Sequence, residues 1–95
     1  MPAYVVVNVR IQDPDTYRRY RELVPPSIAA FGGQFLARGG PVTVLEGDWH
    51  PERFVLLEFP SRERAEAWYR SPEYAPALAL RKEAARADLI IADGI

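Results

Sequence analysis

The chain has no cysteine, and histidine and lysine occur once each, as His50 and Lys82. Without cysteine there are no disulfide cross-links, no thiolate zinc sites and no cysteine nucleophiles. A metal site needs several convergent ligands, which one histidine and scattered carboxylates do not supply, so we expect no metal and no cofactor. Gly39-Gly40-Pro41 has neither the spacing nor the lysine of a phosphate-binding loop.

Long hydrophobic runs and an excess of charge of one sign are also missing. Apolar runs such as Phe54–Leu57 are far shorter than the roughly 20 residues that span a bilayer. The first residues lack a signal-peptide pattern, because Asn8 and Arg10 interrupt the apolar residues there. A net charge of −1 offers no basic surface to nucleic acid. We therefore expect a cytoplasmic protein that binds neither membranes nor nucleic acid.

Hydrophobic residues make up 48% of the 95 residues, which suits a single domain spanning residues 1–95. Ala3–Ile11 alternates between two faces, and this alternation predicts a β-strand. The first face is apolar and belongs to a core. The second face, which carries Tyr4, Val6 and Asn8, suits a pocket or an interface better than open water.

A helix begins at Asp13-Pro14, where the aspartate is the N-cap and the proline takes the first helical position. Apolar residues at three- and four-residue spacing continue until Gly32, which ends the helix in the left-handed conformation. Pro25-Pro26 lies inside this stretch. Because a proline removes a backbone donor and clashes with the preceding turn, we predict a break or kink near Val24.

Two strand-like runs, Gly33–Arg38 and Val42–Glu46, follow on either side of Gly39-Gly40-Pro41. The triplet is either a hairpin turn or a bulge within one bent strand. We favour the bulge, because proline cannot donate to a strand ladder and glycine in a strand often marks a bulge or a close backbone approach.

The second half of the chain supplies a strand, two helices and a final strand. Arg53–Phe59 is a strand with apolar residues on both faces, which indicates that both faces are covered. Ser61 starts one helix as its N-cap, and Ser71-Pro72-Glu73 starts another. Asp88–Asp93 is the predicted last strand.

This order of elements is the βαββαβ arrangement of a ferredoxin-like α+β sandwich. Right-handed crossovers place the helices on one face of an antiparallel sheet. Tyr4, Val6, Phe54 and Leu56 leave the other face apolar, which is unfavourable in a monomer. A second copy of the chain, packed sheet to sheet, would cover it. We therefore predict a homodimer with a pocket between sheet and helices or between the two sheets.

Glycine pairs and aromatic motifs are distributed over nearly the whole chain. They are Gly32-Gly33, Arg38-Gly39-Gly40, Glu46-Gly47 with Trp49, Phe59-Pro60-Ser61, Trp68-Tyr69 with Ser71 and Tyr74, and Asp93-Gly94. Together they resemble domain-of-unknown-function family number 1330, in the dimeric α+β barrel superfamily. The resemblance implies a ferredoxin-like dimer with no settled activity. Wider relatives include cofactor-free monooxygenases, muconolactone isomerases and haem-dependent chlorite dismutases, and a shared fold says little about function.

Three charged or titratable residues are candidates for ligand chemistry. Arg38 stands at a strand end beside glycines, where its guanidinium can bind a carboxylate or phenolate. Alternatively, it forms a structural pair with Glu46 or Glu58. Glu58 suits a general base if it faces an apolar pocket, or it stays ionised beside Arg38 or Arg53. His50 suits a proton shuttle, or it is an exposed residue of a turn.

Aromatic and amide side chains complete the predicted ligand site. Trp49, Tyr69 and Tyr74 either line an aromatic pocket, with the phenols as donors, or pack in the core and the dimer interface. Asn8 either orients a ligand or satisfies backbone groups. The predicted function is binding of a small aromatic or carboxylate metabolite. The alternatives are a cofactor-independent enzyme with monooxygenase- or isomerase-like acid–base chemistry, and a non-catalytic structural or interaction dimer.

Overall fold

The computed structural model describes residues 1–95 and contains four strands and three helices. In chain order these are β1 (Ala3–Ile11), α1 (Pro14–Ala30), β2 (Gln34–Arg38), β3 (Arg53–Phe59), α2 (Arg62–Tyr69), α3 (Ala75–Ala84) and β4 (Ala85–Asp93). The strands form one antiparallel sheet in the order β2-β3-β1-β4. The predicted ferredoxin-like α+β sandwich is confirmed. None of the three helices combines the length and the apolar character needed to cross a membrane.

The buried core lies between one face of the sheet and the three helices. The strand residues in it alternate along β1 and β3, and they are Val5, Val7, Val9, Val55, Leu57 and Phe59. Trp68 of α2 and Tyr74, just before α3, are the largest fully buried side chains. Their ring centroids are 4.3 Å apart, and the Trp68 ring lies 5.4 Å from the Phe59 ring. This aromatic cluster joins α2 and α3 to the sheet.

Helix α1 begins and ends as the sequence predicts. The Asp13 carboxylate accepts hydrogen bonds from the Thr16 amide at 3.3 Å and from the Thr16 hydroxyl at 2.7 Å. Gly32 has a φ of 76°, and its N–H donates to the Ala29 carbonyl at 3.0 Å. Both ends of the helix are therefore capped by groups close in sequence.

Of the predicted break or kink near Val24, the break is wrong, because α1 runs without interruption from Pro14 to Ala30, and the kink stays a prediction. Pro25 removes the N–H that would serve the Arg21 carbonyl four residues earlier. In the structure that carbonyl accepts a hydrogen bond from Arg38 Nη2 at 2.9 Å. A donor from a distant strand thus replaces the missing helical donor.

The predicted strand Val42–Glu46 is also wrong, since residues 39–52 form an irregular connection between β2 and β3. Gly39 is the last residue that pairs with β3, through an N–H bond to the Phe54 carbonyl at 2.8 Å. Gly39-Gly40-Pro41 is therefore neither a bulge nor a short hairpin turn. The bulge lies earlier, where the β2–β3 register shifts between Phe35 and Ala37.

Two further boundaries differ from the prediction. Ser71-Pro72-Glu73 forms a turn, and α3 begins later, at Ala75. Ser71 holds this turn because its hydroxyl accepts from the Tyr74 amide at 3.1 Å and its carbonyl accepts from the Ala75 amide at 3.1 Å. β4 begins at Ala85 instead of Asp88, because its first residues pair with the end of β1.

The sheet face turned away from the helices, called the outer face below, is not covered by any helix of the same chain. The strand register places Val6 of β1 beside Leu56 of β3 and Ile90 of β4 on this face. The Ile90 side chain is 61% exposed. The apolar second face predicted for β1 and β3 is therefore present, and no element of the same chain covers its centre.

Candidate functional site

A cavity of about 30 Å³ lies between the sheet and α1, on the helix side. It has room for about one or two water molecules. Its walls are mostly apolar and aromatic, and Tyr17, Tyr20, Phe35 and Trp68 are among them. Its only charged residues are Arg21, Arg38, Arg53 and Arg81. This space, defined by its four arginines, is called the arginine cavity below.

No carboxylate lines the arginine cavity, and none of its arginines takes part in an ion pair of the chain. Burial lowers the pKa of Arg38, and the charges of Arg21 and Arg53 lower it further. The positive charges therefore repel one another across a space that contains no counter-ion from this chain. Such a site favours an anion over a neutral group or a cation.

Arg81 is the most buried of the four arginines, with 6% of its surface exposed. Its Nε has no hydrogen-bond partner, and the same holds for the buried Nε of Arg53. Arginine is almost never fully buried without a partner, and buried polar groups are normally hydrogen-bonded. Two donors of the arginine cavity are thus unsatisfied in the chain itself.

Tyr20 and Tyr74 form a phenol pair beside the cavity, with their hydroxyl oxygens 3.1 Å apart. Burial raises the pKa of Tyr20 far above its usual value, and Tyr74 raises it further. Burial also raises the pKa of Tyr74, although Tyr20 and Arg81 act in the opposite direction. Both phenols are therefore protonated at neutral pH and can donate hydrogen bonds.

Arg38 and Arg53 hold their positions through aromatic rings and a glycine. The Arg38 guanidinium lies 4.3 Å from the centroid of the Phe35 ring, and that of Arg53 lies 5.4 Å from the centroid of the Tyr17 ring. A Cβ atom at Gly39 would lie 2.6 Å from the Arg53 guanidinium carbon. Glycine at this position therefore makes room for the Arg53 guanidinium.

Glu58 lies on the outer face, across the sheet from the arginine cavity. It accepts a hydrogen bond from Gln34 Nε2 at 2.9 Å, and its hydrogen bond with the Tyr4 hydroxyl raises the pKa of Tyr4. The predicted structural pairs of Glu58 with Arg38 or Arg53 are absent, because both arginines lie on the helix side of the strands. Arg38 forms no pair with Glu46 either.

Three other predicted site residues also lie away from the cavity. His50 and Trp49 are exposed in the connection 39–52, where the Trp49 ring meets the Phe54 ring edge-on at 6.3 Å. Asn8 is buried on the outer face, and its Oδ1 has no hydrogen-bond partner. Its register partner on β3 is Phe54. The chemical roles assigned to these residues stay predictions.

Tyr69 lies beside a second and wider space, a groove of about 600 Å³ between α2 and β4. Its ring centroid is 5.9 Å from that of Tyr74. The groove shares three wall residues with the arginine cavity, namely Trp68, Arg81 and Leu89. Of the predicted site residues, the structure thus brings Arg38, Tyr69 and Tyr74 to the helix side of the sheet.

Sequence analysis singled out neither Arg81 nor Tyr20 as a site residue. A signal for Arg81 was present, since Ala77, Arg81 and Ala84 follow one another at helical spacing and all three are buried on one face of α3. An arginine within a stripe of apolar helix positions indicates either a paired charge or a ligand contact. The phenol pair had no such signal, because Tyr20 and Tyr74 are far apart in the sequence.

Among solved structures, several share this architecture. A protein of unknown function from Rhodopseudomonas palustris has a TM-score of 0.77 and 24% identity, over 99% of this chain and 82% of that chain. A dimeric ferredoxin-like protein of unknown function from Jannaschia sp. CCS1 has a TM-score of 0.75 and 14% identity, over 99% of this chain and 100% of that chain. SnoaB, a cofactor-independent oxygenase from Streptomyces nogalater, has a TM-score of 0.58 and 8% identity, over 99% and 93% of the two chains.

At these identities the likeness extends to the fold alone. No curated protein matches the chain. The family model described as "Domain of unknown function (DUF1330)" matches residues 2–95, which is almost the entire chain. The chain therefore belongs to the DUF1330 family.

Proposed function

We propose that this protein is a homodimer that binds a small aromatic or carboxylate metabolite on the helix side of its sheet. The observation that carries the proposal is the arginine cavity, which collects four cationic side chains among aromatic walls without a carboxylate. Guanidinium groups bind planar oxyanions through paired hydrogen bonds. The cavity suits the acid group of such a metabolite, and the aromatic side chains around it offer contacts to a ring.

The same geometry favours binding over proton transfer. His50 lies in the exposed connection 39–52, and Glu58 lies on the opposite face of the sheet. The phenol pair beside the cavity, Tyr20 and Tyr74, stays protonated because burial raises the pKa of each. A general base must reach the proton that it removes, and neither candidate base reaches this space.

The homodimer in the proposal rests on the outer face. Val6, Leu56 and Ile90 form its apolar centre, and burial against a second copy would contribute roughly 25 cal/mol for each Å² of apolar surface. The connection 39–52 adds further exposed apolar groups, with the Leu45 side chain 93% exposed. The dimeric relative from Jannaschia supports the same assembly for this chain.

Native mass spectrometry of gently purified protein tests both parts of the proposal. We expect a species at twice the chain mass of 10.8 kDa, carrying a small adduct. A panel of aromatic carboxylates, matched with their neutral amides, is then titrated calorimetrically into ligand-free protein. A monomer at all concentrations contradicts the homodimer. A dimer that binds no adduct and no member of the panel contradicts the metabolite site.

A further inference from the structure

We infer that the ligand is a planar monoanion and that Arg81 and Arg53 hold its acid group inside the arginine cavity. The inference deepens the proposed function and rests on it. It assigns the charge of the ligand and its principal anchor, Arg81, which is the cavity arginine least accessible to water.

The hydrogen-bond pattern requires an acceptor in this space. The Nε–H groups of Arg81 and Arg53 are both buried, and neither has a partner in the chain. Leaving a charged donor buried and unpaired costs more stability than leaving a neutral one. An anion oxygen accepts such a hydrogen bond and neutralises part of the charge, so an acid group in the cavity would satisfy a donor that the chain leaves unpaired.

The electrostatics exclude other classes of ligand. Arg21 and Arg38 lie at the exposed rim of the cavity, and Arg53 and Arg81 lie inside it. A cation would therefore be repelled both at the entrance and inside the cavity. A neutral amide presents only one acceptor oxygen and leaves the positive charges without a counter-ion. A carboxylate offers two oxygens in the plane of a guanidinium, which permits a bidentate contact.

The volume selects a small acid group. The cavity volume of about 30 Å³ accommodates the few atoms of a carboxylate. A tetrahedral phosphate with four oxygens needs more space than this cavity, which holds about one or two water molecules. The phenol pair of Tyr20 and Tyr74 supplies neutral donors next to this group. We therefore assign the ligand to the monocarboxylates, with the acid group inside and the remainder against the aromatic wall.

Side-chain NMR of the arginine Nε–H groups tests the inference directly, at constant ionic strength maintained with sulfate. Formate and benzoate are the anionic probes, and formamide and benzamide are their neutral counterparts. We expect both anions to shift the Arg81 and Arg53 resonances in a saturable manner, and both amides to leave them unchanged. Arg81→Met should weaken benzoate binding by at least about tenfold, in line with the loss of a charged hydrogen bond.

Arg18→Met is the matched control, because it removes the same charge from the exposed surface of α1, where Arg18 pairs only with Asp15. It should leave benzoate binding unchanged.

If Arg81→Met does not fold, the wild-type protein still tests the inference through the resonance shifts that formate and formamide cause. Equal binding of benzoate and benzamide overturns the anion assignment while the proposed metabolite site stands. If formate shifts the resonances but no aromatic carboxylate binds, the acid-group assignment stands and the aromatic part of the proposed metabolite is wrong. If the Arg81 and Arg53 Nε–H resonances do not shift when formate is added, the inference is wrong.

Discussion

Arg38 donates a hydrogen bond from Nη2 to the carbonyl oxygen of Arg21 at 2.9 Å, and so replaces the helical donor that Pro25 removes. One side chain therefore has two roles. It lets α1 continue through a proline, and it places its charge at the rim of the arginine cavity. The position of this rim depends on a contact between β2 and α1 that no local sequence rule specifies.

The first prediction concerns the coupling of Arg38 to Pro25. We expect Arg38→Met to lower the free energy of unfolding by about 1 kcal/mol, the usual net value of such a hydrogen bond. In a Pro25→Ala background the loss should be smaller, because the new backbone N–H serves the Arg21 carbonyl. Urea unfolding at one fixed protein concentration measures both differences. Equal losses in the two backgrounds would show that the hydrogen bond does not repair the helix.

The second prediction compares two glycines. A Cβ atom at Gly33 would lie 2.6 Å from Phe59 Cε1 and 2.8 Å from Ile28 Cγ2, both in the buried core, whereas at Gly40 it would meet nothing within 4 Å. Gly33→Ala should therefore destabilise the protein by about 1–3 kcal/mol through overpacking. Gly40→Ala should be neutral or stabilise it by roughly 0.4–1 kcal/mol, because it reduces the freedom of the unfolded chain. Thermal or urea unfolding measures both, and similar values for the two variants would contradict the packing described here.

The third prediction follows from the phenol pair. Burial raises the pKa of Tyr20 above its usual value near 10, so the folded state retains a proton that the unfolded state loses. This contribution to stability is present in full below pH 10 and is lost progressively above it. We expect the free energy of unfolding to fall as the pH rises beyond that value, and to fall less steeply in Tyr20→Phe.

The measurement combines circular dichroism with the ultraviolet absorbance of tyrosinate over the alkaline range. Ionisation of Tyr20 should coincide with unfolding, and the corresponding part of the absorbance change should be absent in Tyr20→Phe. Ionisation of Tyr20 at its usual pKa, in protein that is still folded, would contradict its burial against Tyr74.

The fourth prediction tests the outer face as the dimer interface. Ile90 on that face is 61% exposed and Leu23 on α1 is 48% exposed in the single chain, so the two residues form a matched pair. Ile90→Asp should yield monomers of 10.8 kDa, because a buried, unpaired carboxylate is unfavourable. Leu23→Asp should leave the dimer intact. Light scattering over a range of protein concentrations measures both, and an Ile90→Asp dimer of unchanged affinity would exclude sheet-to-sheet packing.

Elements with a clear period were predictable from the residues alone. β1 and β3 have the predicted bounds, because period-two alternation identifies the first strand and a short apolar run identifies the second. The start and the end of α1 were also predictable, since Asp13 and Gly32 act on groups within three residues. The order of these elements then leads to the ferredoxin-like sheet, because few connections of such elements are possible.

The failed predictions share one physical cause, which is competition between local propensity and distant contacts. Val42–Glu46 has strand-forming residues, yet in the structure it pairs with no strand of the sheet. Pro25 opposes a helix locally, yet Arg38 from β2 satisfies the carbonyl that it leaves free. The hydrophobic periodicity of a segment carries no information about a hydrogen-bond partner elsewhere in the sequence.

The candidate site shows the same division. The residues alone were enough to predict the fold class and to single out Arg38, because glycines beside a strand-end arginine leave room for a ligand. The packing of the elements places Glu58 on the opposite face, brings Tyr20 to Tyr74, and buries the Nε–H of Arg81 without a hydrogen-bond partner. A residue's type sets the chemistry available to it. Its charge partners, burial and distance to other groups arise when the elements pack, and these decide whether that chemistry is directed at a common site.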